Sequence, residues 1–221
     1  MLTQYQEARR EVRAGVLEIV QILMKVNKEA LKSIEASDAS RLQELRKSLK
    51  PVHKKTEEID NKLVVIFARY TPEARDLREM VSYLKITSGL NRIKASMNSY
   101  IKNMQGMLTE DNVAILQSIK ESLSINRCTI HAFEKTVEMF QTFDDNERIR
   151  NLATGIDVEY AKTDDIYALL EKSVIQKMHE ADGRAEEYFN LLKYIRKNLK
   201  IIDRLDSVAQ RIIFARMGGK L

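Results

Sequence analysis

The sequence is poor in the residues that interrupt helices. It contains only 7 Gly and 2 Pro among 221 residues, and it has no Trp. With 31% charged and 44% hydrophobic residues, the composition excludes a disordered chain and is typical of an all-helical protein with a packed core. We therefore expect long helices joined by short connections.

The sequence also lacks the features of secreted and membrane-spanning proteins. A single cysteine, Cys128, excludes an internal disulfide and is typical of a reducing compartment. No apolar run approaches the roughly 20 residues that a membrane span needs, and the first residues lack the order of a signal peptide. The net charge of +5 comes from 37 basic and 32 acidic residues, as on a solvated helical surface. We expect a cytoplasmic protein that is peripheral to a membrane at most.

Six segments with helical periodicity follow one another, each with apolar residues three and four apart. Pro51 falls inside the second segment and predicts a kink or a break there. The third segment is predicted to run from Thr71, as the N-cap, to Met107, with Pro72 at the first helical position. The fourth segment is predicted to begin at Thr109, Glu110 and Asp111, and the fifth is predicted to begin at Asp144. The pair Asp182-Gly183 is predicted to separate the fifth segment from the sixth.

The second half of the chain echoes the first. Asn91-Arg92-Ile93 in the third segment corresponds to Asp203-Arg204-Leu205 in the sixth, which indicates a duplicated three-helix unit. Short connections between long helices make sequential neighbours antiparallel. The sequence therefore predicts an all-α fold of six long helices in two tandem antiparallel three-helix bundles, residues 1–107 and 108–221.

The third segment carries a spaced set of unlike residues. Together these residues resemble the helix that marks the PhoU family of phosphate-uptake regulators. They are Pro72, Ala74-Arg75-Asp76-Leu77-Arg78, Leu84-Lys85-Ile86, Leu90 and Arg92-Ile93. The resemblance implies the same paired-bundle architecture over the whole chain. It also implies a non-catalytic cytoplasmic protein that contacts the ATPase of a phosphate ABC transporter and a sensor histidine kinase, as a negative regulator of phosphate-starvation signalling.

Arginines in the matching helices are the candidates for partner binding. We expect Arg75, Asp76, Arg78 and Arg92, with the equivalent Arg204, to form or brace that surface. The alternative is a metal-free helical scaffold or adaptor for another transporter or partner, unrelated to phosphate. Pairing as a homodimer through Phe67, Phe143 and Phe214 is a further expectation.

Some members of the family that this sequence resembles bind metal clusters, and the resemblance implies where the corresponding positions lie in this chain. Those relatives carry acidic residues on the third helix of each bundle, but this sequence has Gly89, Asn91 and Ala95 there, and Ser207 in the second repeat. We therefore expect no cofactor. Four acidic residues are left as residual metal candidates: Asp60, Glu159, Asp203 and Asp206.

Other chemistry has little support in the sequence. Cys128 and His131 are three residues apart and form only the beginning of a metal site. The chain has no Gly-rich phosphate loop and no catalytic motif, so we expect no enzyme. The sixth segment carries a row of basic residues, but neither a recognition helix nor interleaved aromatic residues that would predict nucleic-acid binding.

Overall fold

The computed structural model describes residues 2–109, 113–180 and 184–219. Within these ranges the chain forms seven α-helices and no strand: α1 (Leu2–Glu35), α2 (Ala39–Ser48), α3 (Pro51–Tyr70), α4 (Ala74–Met107), α5 (Val113–Gln141), α6 (Asn146–Glu180) and α7 (Ala185–Met217). The all-α prediction is confirmed. α2 and α3 are the two halves of the predicted second segment, and Pro51 begins the second half. The predictions at Glu110, Asp111 and Asp182-Gly183 lie outside the described residues.

One hydrophobic core runs through both bundles. α1 to α4 pack on one another, α5 to α7 form the second group, and α4 with α7 makes the most extensive helix pair between the groups. The predicted stripe of α1 is buried along its length, from Val12 to Ile34. Side chains from both groups belong to the same buried cluster, so the two bundles share a core. In the described part of the chain, no helix combines the length and the apolar character needed to cross a bilayer.

The contacts between α4 and α7 show the direction in which these helices run. The guanidinium of Arg204 reaches the backbone carbonyl of Arg92 at 3.0 Å. Further along, an ideal Cβ on Gly218 would lie 3.8 Å from Nε of Arg78. Residue numbers fall along α7 as they rise along α4, so the two helices are antiparallel.

α4 is buried on two faces, although its periodicity predicts one. Met80, Leu90 and Met97 of the predicted stripe are buried, but so are Tyr83 and Tyr100. The reason is that α4 lies between the helices of its own bundle and α7. A helix covered on both sides needs apolar or hydrogen-bonded side chains around most of its circumference.

Leu77 belongs to the apolar stripe of the third segment, whose periodicity predicts burial, but this prediction is wrong, since its side chain is 41% exposed. In the first turns of α4, Asp76 and Glu79 face α1, where both pair with Arg9. Successive residues of a helix are rotated by about 100°. Leu77 is therefore turned away from α1 and into solvent.

Two predicted helix starts are also wrong. Thr71 adopts a left-handed conformation with φ 40° and ends α3, and Glu73 occupies the N-cap position of α4. α6 begins at Asn146, two residues after Asp144, because the carboxylate of Asp145 accepts the backbone N–H of Arg148 at 2.9 Å. Asp144 is thereby left for an ion pair with α7.

Candidate functional site

Three of the predicted partner-binding residues lie at the start of α4, at one end of the molecule. Asp76 forms an ion pair of 3.1 Å with Arg9 of α1. Arg75 is exposed and Arg78 is half-buried. Neither arginine forms an ion pair within residues 2–109, 113–180 and 184–219. Asp76 therefore braces α1 against α4, whereas the charges of Arg75 and Arg78 are not neutralised.

A buried carboxylate lies directly beneath this end. Glu79 is 1% exposed, pairs with Arg9 and accepts a hydrogen bond of 3.2 Å from the hydroxyl of Tyr83. Burial opposes the charge on Arg9, but Glu79 raises the pKa of Arg9 above its ordinary value. Burial, reinforced by Glu79, also raises the pKa of Tyr83. The sequence analysis missed Glu79, although an acid three residues after Asp76 could have indicated a shared partner.

Phe143 joins α1 to α7 at the same end. The guanidinium of Arg13 lies 4.5 Å from the ring centroid and that of Arg216 lies 5.0 Å from it. Arg216 also pairs with Asp144 at 3.0 Å. Burial lowers the pKa of Arg216, and the neighbouring charge of Arg75 adds to this effect.

The expectation that Phe143 forms a dimer contact is therefore wrong, because its side chain is 2% exposed. Its ring is enclosed by the two guanidiniums described above. Phe67 and Phe214 are half-buried. Of the three predicted phenylalanines, these two remain candidates for pairing.

A groove of about 490 Å³ opens beside these ion pairs, between α1 and the end of α5. Arg9, Arg10, Arg13 and Asp144 contribute its charged lining. We call the surface formed by Arg10, Arg75 and Arg78 the basic end. Arg10 and Arg75 are exposed, so this surface presents positive charge to solvent.

The structure does not bring all five predicted residues together. Arg92 lies 17 residues after Arg75, or about 25 Å along α4. Arg204 reaches across from α7 and donates hydrogen bonds to the carbonyl of Arg92 and to the hydroxyl of Ser96. These two arginines, which are equivalent in the repeats, meet in the middle of the α4–α7 interface.

Each of the residual metal candidates has another partner within the protein. Asp60 accepts a hydrogen bond of 2.6 Å from Thr87, and burial raises the pKa of its carboxyl. Asp206 hydrogen-bonds with Asp157, and burial together with that neighbour raises the pKa of Asp206 to about 6. Asp203 hydrogen-bonds with Tyr160. Within the described residues no group of three or more His, Cys, Asp or Glu side chains is arranged to hold a metal ion, so these carboxylates do not fit a metal cluster.

Glu159 lies against the Cys128 and His131 pair. It forms an ion pair of 3.2 Å with Lys162, its Oε2 lies 3.7 Å from Nδ1 of His131, and it hydrogen-bonds with the thiol of Cys128. Burial and Glu159 raise the pKa of the Cys128 thiol. A protonated thiol beside a carboxylate that already pairs with Lys162 is a polar packing cluster rather than a set of metal ligands.

The fold is that of a paired three-helix-bundle protein whose polar clusters join neighbouring helices. Residues 16–121 match the model of the PhoU domain. The chain therefore carries a PhoU domain over these residues. The match crosses the predicted boundary at residue 107, and the division into 1–107 and 108–221 stays a prediction.

Solved structures show the same fold over nearly the whole chain. PhoU from Pseudomonas aeruginosa is 19% identical, with a TM-score of 0.84 over 96% of this chain and 98% of that one. The phosphate transport system regulatory protein PhoU from Streptococcus pneumoniae is 16% identical, with a TM-score of 0.84 over 98% and 99% of the two chains. No curated protein matches the chain significantly. These structures extend the likeness to the second bundle, beyond the residues that match the PhoU domain.

Proposed function

We propose that this protein is a non-catalytic cytoplasmic regulator of phosphate uptake that acts by protein–protein contact. Its partners are the ATPase of a phosphate ABC transporter and the sensor histidine kinase that reads the transporter, and its effect is to repress phosphate-starvation signalling. The PhoU domain match supports this role, as does the fold shared with a protein described as a phosphate transport system regulator.

The basic end carries the docking surface in this proposal. Arg75 is exposed and without an ion pair in the described part of the chain, whereas most neighbouring charges are held by internal partners such as the Arg9–Asp76 pair. Charges that are not neutralised within a protein are free to complement a partner, and they set its orientation and association rate. The partner surface is therefore acidic.

A pull-down from extract of phosphate-replete cells tests this proposal. Three tagged baits are compared. They are the wild type, the double variant Arg75→Glu, Arg78→Glu, and the control double variant Lys102→Glu, Lys120→Glu. The control makes the same change of net charge at exposed positions of α4 and α5. Mass spectrometry identifies the retained proteins. We expect the wild type and the control to retain a transporter ATPase or a sensor kinase, and the arginine variant to lose it.

Two outcomes would contradict different parts of the proposal. Retention of these partners by all three baits means that the basic end is not the docking surface. Retention of neither class, with proteins of unrelated processes held instead, favours the helical-adaptor alternative. Light scattering of the purified protein separately decides the proposed homodimer.

A further inference from the structure

A second groove, of about 350 Å³, lies between α4 and α7 where Arg92 and Arg204 meet. We call it the interhelix groove. Its polar lining consists of four cationic and two hydroxyl side chains: Lys85, Ser88, Arg92, Arg204, Ser207 and Arg211. No acidic residue in the described part of the chain lines it. A concave site with one sign of charge concentrates counter-ions, because its low-dielectric walls focus the field.

The cations of this groove are not neutralised by the protein. Arg204 donates hydrogen bonds to the carbonyl of Arg92 and the hydroxyl of Ser96, and both acceptors are uncharged. Burial lowers the pKa of Arg204, Arg92 adds to that effect, and Asp203 opposes it. Lys85, Arg92 and Arg211 form no ion pair within the ranges that the structure describes.

The acidic residues of α7 point toward a different helix. Asp203 hydrogen-bonds with Tyr160 and Asp206 with Asp157, both on α6. Arg204, Ser207 and Arg211 instead line the groove against α4. Over residues 203–211, α7 therefore separates its charges, with acids on the α6 side and cations on the α4 side.

We propose that the interhelix groove binds a small soluble anion that carries two or more phosphoryl groups. Guanidinium groups bind phosphate oxygens in a bidentate manner, lysine supplies a point charge, and hydroxyl groups donate further hydrogen bonds. A phosphate monoester carries a charge of about −1.5 to −2 at neutral pH, so two phosphoryl groups match the four cations. Arg204 has five N–H donors in all, which leaves donors for a ligand beside its two internal bonds.

Gly89 offers a way to change the groove without removing a cation. It lines the groove, and an ideal Cβ there would lie 3.5 Å from Val208, which is an ordinary contact. Gly89→Ala therefore fits and favours the helix. Gly89→Glu instead adds a carboxylate beside Arg92 and Arg204.

Isothermal titration calorimetry of the purified full chain with inorganic tripolyphosphate tests the proposal at constant ionic strength. We expect saturable binding at one site per chain, weaker binding of pyrophosphate and weakest binding of orthophosphate. Arg92→Gln, Arg211→Gln should weaken tripolyphosphate binding by about tenfold or more, as expected for lost hydrogen bonds to charged groups. Lys102→Gln, Lys120→Gln makes the same change of net charge elsewhere and should leave the affinity within about twofold, because distant surface charges are screened.

The glycine variants provide a second comparison. Gly89→Glu should weaken binding by about as much as the arginine pair, and Gly89→Ala should not, with circular dichroism showing that all variants keep their helices. Absence of saturable binding, or an equal loss in the lysine control, would overturn the proposal. Binding to phosphatidylglycerol vesicles without binding of tripolyphosphate would overturn it too, since the anion would then be a lipid surface. The measurement uses the purified chain alone, so its outcome is independent of the regulatory function proposed above.

Discussion

Asn126 on α5 and Asn198 on α7 are joined by a hydrogen bond of 2.8 Å in the interior of the molecule. The oxygen of Asn126 that accepts this bond also accepts the hydroxyl of Tyr100 on α4 at 2.9 Å. All three side chains are buried. One amide oxygen thus connects helices of both bundles.

Removing the Asn126 side chain should therefore cost more than removing the Tyr100 hydroxyl. Asn126→Ala leaves two buried donors without an acceptor and should lower the free energy of unfolding by about 2–3 kcal/mol, whereas Tyr100→Phe should lower it by about 1 kcal/mol. Urea denaturation measures the free energy of unfolding of the two single variants and of the double variant. Strictly additive effects would show that the two residues do not share a bond.

The Arg9 cluster predicts a similar contrast between a buried and an exposed carboxylate. Glu79→Gln leaves Arg9 with a weakened buried partner and should destabilise the protein by about 3 kcal/mol. Asp76→Asn removes a partly exposed pair and should cost less than about 1 kcal/mol. The free energy of unfolding in urea at pH 7 is the measurement, and a larger effect at Asp76 would contradict the assignment of Glu79 as the main partner.

The Asp157–Asp206 pair predicts a dependence of stability on pH. The pKa of Asp206 is raised to about 6, above the value near 3.9 of an unfolded aspartate. The native state binds this proton more tightly than the unfolded state, so the stability from this group is present below pH 4 and is lost as the pH rises toward 6. Asp206→Asn should stabilise the protein at pH 7, by on the order of 1 kcal/mol after allowance for solvent screening.

The comparison for Asp206 is made at two pH values. At pH 4 the wild-type pair already holds its proton, so Asp206→Asn should bring little gain. Asp165→Asn, at an exposed position of α6, serves as the control and should show no such difference. A gain of equal size at pH 4 and pH 7 would indicate that titration is not its cause.

Cys128 should react slowly with thiol reagents. Its pKa is raised by burial and by Glu159, which lowers the fraction of reactive thiolate at neutral pH. We expect iodoacetamide to modify the native protein at least about tenfold more slowly than the urea-unfolded chain at pH 8. Glu159→Gln should raise the rate at which iodoacetamide modifies the native protein, and labelling followed by mass spectrometry measures this rate. An unchanged rate would mean that burial alone raises the pKa of the Cys128 thiol.

The sequence predicts the helices and the main core well, because both follow from local periodicity. The buried stripe of α1 and the break at Pro51 are examples. The second buried face of α4 could not be predicted in this way. Tyr83 stacks on Phe143 and Tyr100 hydrogen-bonds with Asn126 of α5, so their burial depends on residues that are distant in the chain, and no local pattern carries that information.

The candidate site is less predictable than the fold. The resemblance singled out Arg75 and Arg204 together, but the structure gives them different roles, one at the exposed basic end and one bonded to the Arg92 carbonyl. Glu79 was missed because the periodicity of apolar residues does not report which charged side chains face a neighbouring helix. The sequence predicts that Asp144 begins a helix, whereas its ion pair with Arg216 depends on the position of α7.

The packing of α4 on α7 bears on how such a chain can arise. Arg92 and Arg204 occupy equivalent positions in the two repeats and meet across antiparallel helices. A single-repeat ancestor would expose the corresponding face of its third helix, and a second copy related by a two-fold axis would cover it. A duplicated chain would thus have the arrangement of a dimer fused into one polypeptide. In such a chain the two halves can carry different residues at corresponding positions.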